Sequence, residues 1–291
     1  MKVVARKNID TAKWDTMIWN NDNALFYNLS WTLDALCQEW VGVIKGDYES
    51  AIAIPIQRKI GVKYTFNPFL FHRISMVGGL SQSEVDEALW MAAKYVDIRS
   101  REPLEGAVEW GNYELDLSKN YLELVQSYST GAKRNLKKAT KNNLEFKPEA
   151  NAGLISVFFK ENVSFLKLGI KANEYENFEK LMLEAMDCEI GNGFSVWFED
   201  EVVASGFVVN FNGRITFVKG TSNDQGRELG AMPYLMDRII EKYSETNSIF
   251  DFAGSNVKSL GQFYQSFGAS NRPIYYLKRN NLPFPLNQIK K

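Results

Sequence analysis

The sequence predicts an α+β chain of two domains, and three observations carry that reading. Residues 193–222 alternate apolar and polar positions in three runs, broken at Asp200 and at Asn212-Gly213. Those residue types tolerate the positive φ of tight hairpin turns, so the runs read as three antiparallel strands. Leu235, Ile239, Ile240 and Tyr243 then recur at helical spacing behind Pro233, whose missing N–H costs nothing near a helix start. A β-branched and aromatic run, Ile249-Phe250-Asp251-Phe252, stops at Ala253-Gly254-Ser255, and a second helical segment follows over 259–268. An open sheet with a helix start at one strand end is a common ligand-binding layout.

A length of 291 residues suits one large domain or two of ordinary size, and 45% hydrophobic residues are enough to bury a sizeable core. Lys and Arg total 34 against 35 Asp and Glu, a net charge of -1, so the chain as a whole is no polyanion binder, although local patches remain open. The two cysteines, Cys37 and Cys188, lie far apart in apolar, helix-like contexts. They read as buried thiols, with no disulfide framework and no metal site. The opening residues hold no apolar stretch of the secretion-signal kind, and no run approaches the roughly 20 residues that span a bilayer. A cytoplasmic location is the expectation.

Residues 10–40 read as two short helices, the first capped by Asp10 or Thr11 with Trp14, Met17 and Ile18 on one side, the second from Ser30 to Gln38. Val41–Ile44 and Ser50–Ile56, separated by Gly46-Asp47, signal a hairpin, and Pro55 marks a point where its strand is unpaired on one side or bulged. Residues 64–79 are aromatic and hold the single histidine, His72, which reads either as a general base near neutrality or as a packed loop residue. A helix capped by Ser83 is expected through Ser100, with Val85, Leu89, Ala92, Ala93 and Val96 as its stripe. Pro103 and Gly106 break it, 107–110 and 113–117 look like short strands, and the domain boundary is placed near 115. Residues 151–187 read as two helices, one lined by Leu154, Ile155, Phe158, Phe165 and Leu166, the other by Phe178, Leu181, Met182 and Ala185. A last strand is expected over 271–279, then a short tail.

Lys133, Arg134, Lys137, Lys138 and Lys141 form the densest charge cluster. On a helix, Lys133, Lys137 and Lys141 fall on one line, with Arg134 and Lys138 on the next. Two readings stand: a solvated face, or a site for a phosphate or carboxylate of a substrate, cofactor or RNA.

Four segments in order resemble the GNAT acyltransferase superfamily, and more closely its Fem-like branch of peptidoglycan-bridge aminoacyltransferases. They are Lys133-Arg134-Asn135-Leu136-Lys137-Lys138-Ala139 with Lys141, Arg227-Glu-Leu-Gly-Ala-Met-Pro-Tyr-Leu, Phe250-Asp-Phe-Ala-Gly-Ser255, and Leu260-Gly-Gln-Phe-Tyr-Gln-Ser-Phe-Gly268. The last is similar to a family Phe-Lys-x-x-Phe-Gly motif. The N-terminal half fits more loosely, through Trp14-Asp15, Phe26, Trp31 and Leu33. The resemblance implies two tandem GNAT-like domains with mixed, mostly antiparallel sheets flanked by helices. It implies a first domain over 1–115, completed by 276–291, and a second over 116–275.

The resemblance also implies an enzyme that moves an acyl or aminoacyl group from an activated donor onto an amine. The donor would be acyl-CoA or aminoacyl-tRNA, with no tightly bound cofactor and no metal. The acceptor would be a small-molecule or cell-wall-precursor amine, and tRNA is a possible partner that the net charge does not indicate. Such enzymes work mainly by positioning, so no nucleophile need be visible. Arg227 with the amides of Gly230 and Ala231 would hold donor phosphate. Arg134 and Lys138 would hold an anionic part of a substrate, with His72 and Phe263 as further contacts. Tyr264 would hydrogen-bond at the reacting centre or serve as a core-edge aromatic. Asp251 would orient the amine or cap the strand end. Tyr264 stands where the family has lysine, bringing a hydroxyl and no cation. Met232 stands where the family's phosphate loop has a small residue. An acetyl-CoA-dependent N-acetyltransferase acting on a small-molecule or sugar amine, and a GNAT-fold binding protein without catalysis, are the alternatives.

Overall fold

Backbone pairing sorts the chain into two compact units, residues 1–110 with 273–291, and residues 111–272. The computed structural model describes residues 1–59, 61–163, 169–254 and 256–289. Phe165, Leu166 and Ser255, used in the sequence reading, lie outside the described residues.

The first unit runs β1 (Lys2–Ala5), α1 (Thr11–Trp19), α2 (Ser30–Leu36), β2 (Glu39–Lys45), β3 (Ser50–Lys59), β4 (Val62–Phe66), β5 (Met76–Val77), α3 (Gln82–Ala92), β6 (Tyr95–Ser100) and β7 (Val108–Trp110). Asp10 caps α1 by accepting the Lys13 N–H, and Trp14 and Ile18 are buried beneath it. The hairpin between β2 and β3 turns at Gly46, with φ of 65°. On its other side β3 pairs with β5 at Ala51–Ile52 and with β4 at Gln57–Lys59, so Pro55 falls in the gap where no N–H is asked for.

Two expectations fail here. The helix cap is Ser81, in a reciprocal pair with Glu84, and the helix ends at Ala92. Tyr95–Ser100 is a strand, parallel to β4 and antiparallel to the chain's last strand. Its alternation of buried Val96, Ile98 and Ser100 with half-exposed Asp97 and Arg99 belongs to a sheet, and strand pairing outweighs the helical spacing of Val96.

The second unit runs β8 (Tyr113–Asp116), α4 (Tyr121–Gln126), α5 (Thr130–Lys141), β9 (Glu145–Lys147), α6 (Ala152–Val163), α7 (Ala172–Asp187), β10 (Gly191–Phe198), β11 (Glu201–Phe211), β12 (Arg214–Ser222), α8 (Asp224–Leu229), α9 (Ala231–Tyr243), β13 (Ile249–Asp251), α10 (Lys258–Gln265) and β14 (Ser270–Asn271). Its sheet order is β14-β8-β13-β12-β11-β10-β9. The hairpins turn at Glu199, Asn212 and Gly213, all at positive φ. Phe194, Val196, Ile215, Phe217, Leu235, Ile239 and Phe250 share one core under α9.

The two compact units divide at 110/111, because β8 pairs with β13 and β14 of the second unit. The single strand expected over 271–279 is two. Pro273 separates β14 from β15 (Ile274–Asn280), and β15 returns to pair with β6 and β7 of the first unit. A short helix, α11 (Leu286–Ile289), follows. Cys37 is buried, which pushes its thiol pKa up, but Cys188 is only half-buried. Among the described residues no helix is long and apolar enough to cross a membrane.

Candidate functional site

The sheet of the second unit opens at one end. β12 and β13 run parallel and pair only from Arg214↔Ile249 to Thr216↔Asp251, yet β12 continues to Ser222. Beyond Asp251 the chain takes two successive left-handed residues, Ala253 at φ 56° and Gly254 at φ 50°. An alanine there is strained, and Asp251 Oδ1 holds the turn by accepting the Ala253 N–H at 2.9 Å. Facing the opening, β12 carries a bulge. Phe207 pairs with Lys219 and Val208 with Phe217, which leaves Val218 as the extra residue. Crevices beyond the carboxyl ends of parallel strands are where open α/β sheets bind ligands, and bulges re-aim backbone groups there.

Asp251 is fully buried. Its Oδ2 lies 2.9 Å from Arg214 Nη1, which also reaches Glu114 Oε1 at 2.7 Å, and Asn112 Nδ2 donates to the same Glu114 oxygen at 3.2 Å. Burial works against the Arg214 charge, but the two carboxylates outweigh it and raise its pKa. Tyr264 of α10 belongs to the same neighbourhood. Its ring packs 4.7 Å from Phe252 and 5.8 Å from Tyr113, and α10 approaches β8 closely at Gly261, where a Cβ would meet the Tyr113 ring. Burial, then the Asp251 charge, push the Tyr264 phenol above its ordinary pKa. It stays protonated at neutral pH, a state in which a phenol can donate a hydrogen bond. Phe263 is half-buried against Phe267, at 5.3 Å, and against Tyr264.

A second group of expected residues surrounds the start of α9. Gly230 takes φ of 79° between α8 and α9, and a Cβ there would lie 3.2 Å from the carbonyl oxygen of Asn135 on α5. The loop glycine therefore seats the basic helix, on which Arg134 and Lys138 are exposed. Ser129 caps that helix through the Ala132 N–H, and Ala132 and Ala139 are its buried positions. Ala231 is fully buried, which makes it a packing residue of α9. Arg227 is tied back to the end of β12, donating to the Ser222 carbonyl at 2.8 Å and pairing with Asp224. That pair is exposed and weak, so the guanidinium is available to a stronger anion.

His72 belongs to the other unit, buried in the loop between β4 and β5. It joins neither group.

Arg214 and Glu114 are absent from the sequence reading. Each looks like a solvent-facing charge at a strand end, and only the register β8-β13-β12 brings them onto Asp251. Asp237 was missed as well. It is buried in α9, accepts the Tyr121 hydroxyl at 2.9 Å and lies 3.0 Å from Arg238 Nε. Its signal was legible: an acid inside the apolar stripe that holds Leu235 and Ile239.

No protein-family model matches the sequence, and no curated relative is found. Solved structures do match. FemX superposes with a TM-score of 0.65 at 12% identity, over 100% of both chains. L-PGS from Bacillus licheniformis gives 0.57 at 12% identity, covering 96% of this chain and 95% of that one. A tandem GNAT protein from the clavulanic acid biosynthesis pathway gives 0.53 at 10% identity, covering 95% and 98%. The chain thus has the tandem, Fem-like GNAT fold, α+β with mixed, mostly antiparallel sheets, that the four sequence segments resemble. At these identities the likeness concerns the fold.

Proposed function

We propose that this chain is an acyl- or aminoacyl-transferase that moves an acyl group from an activated donor to an amine, with the open end of the second unit's sheet as its reacting centre. The observation that carries the reading is the parting of β12 from β13 after Thr216 and Asp251, with the Val218 bulge on the continuing β12 and the buried Tyr264 ring packed on Phe252 just past the end of β13. In this reading the donor's acyl carbonyl lies along the unpaired edge of β12. Amides near the bulge stabilise the oxygen as negative charge develops on it. The acceptor amine attacks, the new C–N bond forms, and the bond to the donor's sulfur or oxygen breaks. Tyr264 hydrogen-bonds the departing atom, and the amine's proton leaves to that atom or to solvent. The Arg214–Asp251–Glu114 cluster fixes the strand end and the Ala253 turn against which the reactants are held. The donor's phosphates are received by Arg227, the Gly230 loop and the cations of α5.

FemX and L-PGS share the fold, which supports the class of reaction and leaves the donor open between acyl-CoA and aminoacyl-tRNA. An acetyl-CoA-dependent N-acetyltransferase with a small-molecule or sugar amine is the narrower form of the same reading. Tyr264 at the family's lysine position favours a second reading, a GNAT-fold protein that binds a ligand without turnover. Thermal unfolding with acetyl-CoA, longer acyl-CoAs, free CoA and charged tRNA tests both. A donor at about 100 times its Kd adds about 2.7 kcal/mol, and turnover with an amine panel then separates enzyme from binder. No shift with any donor sinks the acyltransferase reading.

A further inference from the structure

We propose that the aromatic cleft on the sheet of the first unit binds a zwitterion of the α-amino-acid class, with Arg99 taking its carboxylate and Asp97 its ammonium. Side chains alternate along a strand, so Tyr95, Asp97 and Arg99 of β6 share one face. Register places Tyr64 and Phe66 of β4 opposite Tyr95 and Asp97, and Tyr276 of β15 opposite Arg99. Trp110 of β7 packs 5.3 Å from the Tyr276 ring. With Asn67 these residues line a cleft of about 470 Å³, the size of a small-molecule site.

The charges in this cleft are not spent on each other. The Arg99 guanidinium lies 5.7 Å from the centre of the Trp110 ring, burial lowers its pKa, and among the described residues it makes no ion pair. Arg73 lies within its electrostatic reach. Asp97 is held by hydroxyls, accepting from Tyr276 at 3.0 Å and from Tyr95 at 3.5 Å. The two charges sit two residues apart on one strand face, roughly 7 Å between Cα atoms. A simple anion is drawn to Arg99 and repelled by Asp97, and a simple cation meets the reverse. A ligand that carries both charges a few ångströms apart gains at both ends. A carboxylate matches the guanidinium fork, and an ammonium beside Asp97 also meets the faces of the surrounding rings.

This binding needs no acyl donor, so it stands or falls apart from the acyltransferase reading. Calorimetric titration of the full chain with each free L-amino acid tests it. At least one binds. Its deaminated, carboxylate-only analogue and its decarboxylated, amine-only analogue each bind about tenfold more weakly, because each loses one charge-assisted contact. Arg99→Met removes the preference over the amine-only analogue, and Asp97→Asn removes the preference over the carboxylate-only one. The proposal is overturned if no amino acid binds, if the analogues bind as well as the parent, or if both variants keep both preferences. The analogue comparison uses the unaltered chain, so it decides the matter even if a variant fails to fold.

Discussion

Arg214 reaches from the first residue of β12 to Asp251 at the last residue of β13, closing to 2.9 Å on a carboxylate with no exposed surface. The pair runs diagonally across the paired stretch of the two strands, from its first residue on β12 to its last on β13. Removing the cation takes the Arg214 charge away from a buried carboxylate, which costs far more than the pair contributes when intact. Arg214→Met is expected to lower the unfolding free energy by about 3 kcal/mol. Denaturant unfolding of the full chain checks this, and a loss below about 0.5 kcal/mol, the scale of an ordinary surface change, would return Arg214 to an exposed strand end.

Tyr264→Phe keeps the ring against Phe252 and Tyr113 and removes only the hydroxyl. Stability should move by less than about 1.5 kcal/mol, the scale of a single hydrogen bond. Turnover on whichever donor and amine prove active should fall about 100-fold, the usual loss for one preorganised donor at a reacting centre. Unchanged turnover would make Tyr264 a core-edge aromatic.

Much of the second unit was legible because local chemistry and tertiary structure agree there. Asn212-Gly213 turns where it must, Pro233 sits in the first turn of α9, and β10, β11 and β12 are sequential hairpin strands. The misread strands have one cause, pairing between residues far apart in sequence. Tyr95–Ser100 reads as helix until β4 and β15 claim it, and β15 arrives from almost 180 residues downstream, as its Tyr276 hydroxyl on Asp97 shows. Arg214 and Glu114 met the same obstacle. Asp251 and Tyr264, which the motif resemblance singles out, lie within one short β–turn–α segment, so their nearness follows from local structure.

Stability at alkaline pH should respond to buried phenols. Burial pushes Tyr243 up to about 12, and Tyr264 is raised in the same direction. A raised folded-state pKa means the folded chain keeps its proton where the unfolded chain gives it up. The contribution is complete below about pH 10, the ordinary tyrosine value, and is lost as pH rises from there toward 12. Unfolding free energy measured at pH 8, 10 and 11.5 should therefore hold steady and then fall, at about 1.4 kcal/mol per unit for each such group. Tyr243→Phe should make the fall shallower; the same slope in wild type and variant would contradict this assignment.

Gly230 joins backbone strain to helix seating. Its φ of 79° disfavours any side chain, and the Asn135 carbonyl stands 3.2 Å from where a Cβ would be. Gly230→Ala should destabilise by about 1–2 kcal/mol from the left-handed conformation alone. It should also disturb the packing of α5 on α9. Amide hydrogen exchange separates the two effects, since faster exchange confined to α5 and α9 would mark lost seating. Wild-type stability and exchange would mean the glycine is a bystander.

The cations of α5 are the last discriminating feature. Arg134 and Lys138 are exposed and Lys133 donates to the Gln126 carbonyl at 3.0 Å, so the folded chain makes little structural use of the outer pair. Arg134→Ala with Lys138→Ala should leave stability within about 0.5 kcal/mol. If those cations receive donor phosphate, the double variant should weaken donor binding strongly at low salt and progressively less as salt rises, because screening removes from the wild type what the variant already lacks. Equal affinity in wild type and variant at low salt would assign the helix to solvent and move the phosphate contact to Arg227 and the Gly230 loop. Arg227→Ala would then have to carry the salt-dependent loss.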